Sequence, residues 1–209
     1  MRGWTGGGIL DAMGARTRAA LLAIMMVVAA AACERAEPAP APTGASTSAS
    51  VSASAVPFVA PPLRLPRVAP GGRCPVTAAH ALPGLEDKVL GNGPLYPIAY
   101  YFMAGDAVLQ LRPDDREPGG SYRVKVRWVG SGYAGPVLIR ADRIDGTGTA
   151  LAQFSYTGEA RDGGYFATLT ESENDLPATT LVSGPGCFAY QVDGTTFSET
   201  IVFEVVRAR

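Results

Sequence analysis

The chain contains 209 residues and has a formal net charge of −1. Residues 73–209 carry twelve Arg and Lys against sixteen Asp and Glu, a formal charge of −4. This stretch has no basic stripe or patch, which argues against nucleic acid as a partner. Its 137 residues are a normal size for one domain with its own hydrophobic core.

An apolar run lies near the N-terminus. Arg16 and Arg18 precede residues 19–32, which are all apolar and end in three alanines directly before Cys33. A positive flank, an apolar stretch and small residues before a cysteine are typical of a bacterial lipoprotein signal. The run has 14 residues, whereas a transmembrane helix needs about 20. The pattern therefore favours a cleaved signal over a permanent anchor.

This pattern predicts a signal peptide over residues 1–33 that ends at an acylated Cys33. Translation begins at Met1 or at Met13, since a start at Met13 would leave a short positive segment before the apolar run. The lipid would hold the mature protein in the cell envelope as a membrane-anchored lipoprotein that faces the periplasm or the exterior. The alternatives are secretion without a lipid, after cleavage near Ala32, and an uncleaved anchor.

Residues 34–72 differ in composition from the rest of the mature chain. They contain eight prolines and a run of Ser, Thr and Ala over residues 46–54 that only Val51 interrupts. Such a segment has few bulky apolar side chains, so it buries too little surface to offset the entropy lost on ordering. The composition predicts a flexible linker. Phe58, Leu63 and Leu65 are exceptions that could dock on the following domain.

Two cysteines remain if Cys33 carries the lipid. Cys74 and Cys187 would then form an even pair in an oxidising compartment, where a disulfide is the expected state. The competing hypothesis is a catalytic thiol at Cys187. That chemistry requires a base, and His80 is the only histidine of the chain. The disulfide is therefore favoured.

The clearest strand signal lies at residues 122–129. Apolar or aromatic side chains alternate there with Arg and Lys, which is typical of a strand with one face on a core and the other in water. Further short segments rich in β-branched and aromatic residues are separated by Gly, Pro, Asn and Asp turns. One of them, residues 96–103, includes the adjacent residues Tyr100 and Tyr101.

This spacing predicts an all-β fold for residues 73–209, an immunoglobulin-like β-sandwich of seven or eight short strands. In that arrangement a buried Trp lies beside a disulfide to a late strand, and Trp128 and Cys187 are the candidates. The tyrosine corner of antibody-type domains is absent, because the position two residues before Cys187 is Pro185. A small β-barrel is the main alternative.

Several short motifs resemble a group of uncharacterised secreted bacterial proteins. They are Cys74-Pro-Val-Thr77, Gly91-Asn-Gly-Pro-Leu95, Lys125-Val-Arg-Trp128 with Gly130, Leu138-Ile139 with Arg143-Ile-Asp145, and Pro185-Gly-Cys187-Phe188. The resemblance spans nearly all of residues 74–206. It implies a compact β domain with a disulfide between the two matching cysteines. It implies no activity, cofactor or functional residue.

Catalytic and metal-binding signatures are largely missing. There is no Gly-x-Ser-x-Gly elbow and no glycine loop of the phosphate-binding type, and a single histidine argues against His-rich zinc sites. Two acidic clusters, residues 114–117 and 171–175, could hold calcium on loops, but neither matches the twelve-residue calcium loop. Solvated turns explain them better. The sequence predicts a protein that is not an enzyme and has no cofactor and no metal.

Exposed tyrosines are the best candidates for ligand contacts. Tyr100 and Tyr101 are adjacent, so on a strand they would face opposite sides, and Tyr133 lies in a glycine-rich turn. Tyr101 and Tyr133 are the predicted contacts with sugar or protein, although these tyrosines could instead cap the core.

We therefore expect a non-enzymatic binding or structural module of the cell envelope, whose partner is an envelope protein or a glycan. Two other functions stay open. One is an envelope hydrolase that uses loop carboxylates or Cys187, and the other is an inhibitor of secreted proteases that acts through an exposed loop.

Overall fold

The structure of the protein, a computed structural model, describes residues 57–209, with the exception of the Ala104 side chain. The predicted signal peptide with Cys33 lies outside the described residues, as does the first part of the predicted linker, residues 34–56. Within residues 57–209, no helix has the length and the apolar character needed to cross a membrane.

The described residues form short strands joined by turns and three one-turn 3₁₀ helices. The strands are β1 Ala79–Ala81, β2 Lys88–Leu90, β3 Leu95–Pro97, β4 Val108–Leu111, β5 Tyr122–Lys125, β6 Trp128–Ser131, β7 Gly135–Arg143, β8 Ala150–Phe154, β9 Glu159–Arg161, β10 Gly164–Leu169, β11 Glu173–Leu176, β12 Ala178–Val182, β13 Gly186–Gly194 and β14 Ser198–Arg207. The 3₁₀ helices are Ala99–Tyr101, Met103–Gly105 and Pro113–Asp115.

Six strands form the main sheet, in the order β4-β14-β13-β7-β10-β9. Its neighbours are antiparallel except for β14 and β4, which run parallel. Two three-stranded sheets, β11-β6-β3 and β5-β12-β8, share one hydrophobic core with the main sheet, and β1 pairs with β2. The all-β sandwich predicted from the sequence is therefore confirmed.

The structure contains more strands than the predicted seven or eight because long segments break between sheets. The predicted strand at residues 122–129 is divided into β5 and β6, which belong to different small sheets. Between them, the Val126 backbone N–H donates to Ala178 and the Arg127 carbonyl accepts from Ile98. Pro177 breaks the neighbouring segment in the same way between β11 and β12, since proline has no N–H to offer a ladder.

Three aromatic side chains in mutual contact form the centre of the core. Trp128, Tyr190 and Phe203 are fully buried. The Trp128 ring meets Tyr190 edge to face with centroids 5.1 Å apart, and Tyr190 stacks on Phe203 at 4.5 Å. The Tyr190 hydroxyl lies 2.7 Å from Thr180 Oγ1, which ties β13 to β12. Burial raises the pKa of Tyr190, so the phenol stays neutral.

The predicted disulfide is present between Cys74 and Cys187, whose Cα atoms are 5.5 Å apart. The placement beside Trp128 was wrong. Side chains alternate along β13, so Phe188 and Tyr190 enter the main core while Cys187 faces the other side of the sheet. There it packs in a second apolar cluster, and the immunoglobulin-like pairing of tryptophan and disulfide is absent.

The chain before the disulfide lies against the outer face of the main sheet. We call residues 57–77 the strap. The Val68 N–H donates to the Ile144 carbonyl, and the Thr77 N–H donates to the Val202 carbonyl, at 2.8 and 2.9 Å. At the start of the strap, the Phe58 ring lies 5.6 Å from that of Phe166. The folded unit of the structure therefore includes residues 57–72, which the sequence assigned to the linker.

A buried polar cluster holds the strap to the sheet. Arg140 donates to Asp193 at 2.6 Å and also to the Pro61 carbonyl at 2.7 Å. Gln191 donates to the Pro62 carbonyl at 3.1 Å and accepts from the Arg64 N–H at 2.6 Å. Strap carbonyls have no strand partner here, so the sheet side chains satisfy them. The polar contacts compensate for the low apolar content of the strap.

Candidate functional site

The disulfide removes the thiol that a cysteine enzyme would need. Both sulfurs are bonded to each other, so the hypothesis of a catalytic Cys187 thiol is wrong. His80, the only histidine that could have served as the base for such a thiol, lies exposed on β1. Its ring is 6.2 Å from the Tyr96 ring.

Four of the six carboxylates in the two acidic clusters accept hydrogen bonds, each from a different partner. Glu173 accepts hydrogen bonds from Ser131 Oγ and from the Gly132 N–H. Asp175 forms a bidentate pair with Arg127, whose hydrogen bonds lower the pKa of Asp175. Within residues 57–209, no three His, Cys, Asp or Glu side chains are grouped as metal ligands. Asp114 and Glu171, the other carboxylates of these clusters, are exposed to solvent.

Tyr133 is not available as a ligand contact. Its side chain is buried, and its ring meets Phe197 edge to face at 5.1 Å. The hydroxyl donates to the Pro136 carbonyl at 2.8 Å and accepts from the Thr195 N–H at 3.1 Å. The glycine-rich turn allows the ring to fold back over Gly135. The predicted contact at Tyr133 was therefore wrong, because the residue caps the core.

Tyr101 lies in a surface cleft of about 460 Å³, which we call the tyrosine cleft. This volume is in the range of sites that bind small molecules. The cleft is lined by Tyr100, Tyr101, Phe102, Met103, Gln110, Arg112, Asp115, Val124 and Lys125. It lies between the loop that joins β3 to β4, strand β4, the 3₁₀ helix Pro113–Asp115 and strand β5, so its walls come from successive segments within residues 100–125.

The first 3₁₀ helix, Ala99–Tyr101, determines how the two tyrosines are presented. Ala99 and Phe102 on either side are buried, and Phe102 packs against Phe203 at 5.9 Å. Anchored in this way, the turn leaves Tyr100 73% exposed while Tyr101 is half-buried against the core. The two rings meet edge to face at 5.6 Å. The sequence predicted a strand at these residues and only Tyr101 as a ligand contact. The adjacency of the two tyrosines was the signal that could have indicated the exposed Tyr100 as well.

Two cations face the cleft without a carboxylate partner. The Lys125 ammonium lies 5.7 Å from the centre of the Tyr101 ring. Neither Lys125 nor Arg112 forms a salt bridge with any residue that the structure describes. Asp115, the only carboxylate in the lining, accepts a hydrogen bond from the Arg112 backbone N–H at 2.9 Å. The cleft therefore carries a net positive charge on an acidic domain.

A smaller hollow of about 310 Å³ shares Tyr100 with the tyrosine cleft. Glu86 and Asp87 line it together with Lys88, so its formal charge is negative. Tyr100 stands between the two concavities and separates a positive region from a negative one. This asymmetry distinguishes the two sides of the exposed ring electrostatically.

Neither a family model, nor a curated protein, nor a solved structure matches this chain. The resemblance to secreted bacterial proteins stays a prediction from the sequence motifs.

Proposed function

We propose that this protein is a non-enzymatic binding module of the cell envelope, anchored to a membrane by a lipid on Cys33 and binding its ligand in the tyrosine cleft. The observation that supports this most directly is the 73% exposed Tyr100, held beside the half-buried Tyr101 in a polar concavity. An exposed ring that its neighbours hold in place offers contact area at little cost in side-chain entropy.

The arrangement of charged groups supports binding rather than catalysis. Lys125 and Arg112 offer positive charge and hydrogen-bond donors, which can hold a ligand, and they do not offer the acceptor that a general base requires. Asp115, the carboxylate of the cleft, is engaged with the turn that it caps. An envelope hydrolase is supported less well, since Cys187 is bonded to Cys74 and the loop carboxylates of Glu173 and Asp175 already accept hydrogen bonds. No observation favours a protease inhibitor.

Replacing Tyr100 with Ala tests the binding site. We expect Tyr100→Ala to weaken binding to cell-envelope polysaccharides at least tenfold, about 1.4 kcal/mol, because anchoring tyrosines carry much of the energy of an interface. The measurement is a binding isotherm of the full mature protein, in detergent, on immobilised envelope polysaccharide fractions. Tyr156→Ala is the matched control, since Tyr156 is 88% exposed and does not line the cleft. Equal binding by wild type and Tyr100→Ala would reject the cleft as the site.

Replacing Cys33 with Ala tests the anchor. We expect wild type to incorporate labelled palmitate and to sediment with membranes, and Cys33→Ala to lose both properties, because only the thiol can take the acyl chain. Fractionation and autoradiography of cells that express the full chain give the readout, and Ser46→Ala is the control. Wild type in the soluble fraction would indicate secretion without a lipid. A Cys33→Ala variant that stays in the membrane would indicate an uncleaved anchor.

A further inference from the structure

We infer that the ligand of the tyrosine cleft is an acidic carbohydrate, a glycan whose sugars carry carboxylates. This inference rests on the proposed function and names the ligand class of the same site. It depends on the unpaired cations of the cleft, on the geometry of the exposed tyrosine, and on the distribution of charge around that tyrosine.

The cations supply the preference for an anion. Five arginines of the described residues are paired with carboxylates: Arg123, Arg127, Arg140, Arg143 and Arg161. Lys125 and Arg112, which line the cleft, are not in that group. A ligand carboxylate between them would form charge-assisted hydrogen bonds, which are roughly twice as strong as neutral ones.

The tyrosines supply the preference for a sugar. A sugar ring has a face of C–H groups and a rim of hydroxyls, so it suits an aromatic face with hydrogen-bonding groups at its edge. Tyr100 presents such a ring to solvent. The Gln110 amide lines the same cleft, and its Nε2 donates to Met103 Sδ at 2.9 Å, which leaves the amide oxygen for a ligand hydroxyl.

The surrounding charges determine where the carboxylate lies. Glu86 and Asp87 make the hollow on the other side of Tyr100 acidic, and residues 73–209 carry −4 overall. An anionic group on that side would meet like charges. The sugar carboxylate therefore lies on the Lys125 side of the ring, and neutral hydroxyls lie toward Glu86 and Asp87, which can accept hydrogen bonds from them.

The test compares three uronate polymers, polygalacturonate, alginate and hyaluronate, with the methyl ester of each. Binding to the full mature protein is measured in detergent, at physiological salt and with EDTA, so that calcium bridges do not contribute. We expect at least one acid to bind at least tenfold more tightly than its ester. Lys125→Gln should reduce binding of that acid at least tenfold and leave binding of the ester unchanged. Arg73→Gln, an exposed cation outside the cleft, should change neither.

Each contrary outcome has a separate meaning. Equal binding of acid and ester that Tyr100→Ala abolishes would overturn the acidic class and keep the proposed function. Binding of poly-L-glutamate as tight as that of the best uronate would overturn the carbohydrate class. If no uronate binds while envelope polysaccharides do, this inference is wrong and the binding module stands. If neither the uronates nor the envelope polysaccharides bind, both this inference and the proposed function are wrong.

Discussion

The double variant Cys74→Ala/Cys187→Ala should be destabilised by about 2 to 5 kcal/mol relative to wild type. The disulfide closes a loop with a sequence separation of 113 residues, and a cross-link over a long loop removes much of the entropy of the unfolded chain. It also fastens the end of the strap to β13. Urea unfolding, followed by tryptophan fluorescence, gives the free energy of unfolding for both proteins.

Reduction provides the control for this prediction. Dithiothreitol should shift the unfolding midpoint of wild type toward that of the double variant and should leave the variant unchanged. A double variant within about 1 kcal/mol of wild type, below the typical effect of a native disulfide, would show that strand pairing and the polar contacts of the strap hold the two segments together without the cross-link.

Asp193→Ala should destabilise the protein by about 3 to 5 kcal/mol, because it leaves the Arg140 guanidinium buried without its counter-charge. Asp193 is fully buried and also accepts hydrogen bonds from Gln191 and from Ser198 Oγ. Arg140 and Gln191 in turn hold the carbonyls of the strap. The variant should therefore both lower the free energy of unfolding and loosen the strap.

Two measurements separate these effects. Urea unfolding gives the stability, and limited trypsin digestion reports on the strap, where cleavage after Arg64 or Arg67 should become faster in Asp193→Ala. The matched control is Asp175→Ala, which removes a partly exposed ion pair with Arg127 and should cost at most about 1 kcal/mol. If the two variants lose equal stability, or if the strap stays resistant to trypsin, the polar cluster does not have the role assigned to it.

The candidate site was only partly predictable. Tyr101 was proposed and does line the cleft, whereas Tyr133 was proposed and is buried. Which ring faces solvent depends on packing partners from other strands, here Phe203 against Phe102 and Phe197 against Tyr133. The cations of the cleft were not singled out, because a lysine without a partner looks the same in sequence as one with a partner.

The strap shows a second limit of sequence reasoning. A proline-rich segment with few large apolar residues is predicted to be a linker, because its own side chains bury little surface. The contacts that hold residues 57–72 come mainly from the sheet. Arg140 and Gln191 donate hydrogen bonds to strap carbonyls, and Gln191 also accepts one from the Arg64 N–H. Composition describes what a segment can bury by itself and omits the hydrogen bonds that another segment offers to it.

Alternation of apolar residues and the turn residues determined the strand-rich fold, because a strand depends on local periodicity. The pairing of Cys74 with Cys187 was predicted from the three cysteines once Cys33 was assigned to the lipid. Tertiary structure alone decided that the disulfide lies on the face opposite Trp128, that the strap covers this face, and that Tyr100 is exposed in the cleft that Lys125 also lines. Each of these depends on which distant segments meet. A one-residue change of register would reverse every side chain on a strand, and only the packed sheets determine that register.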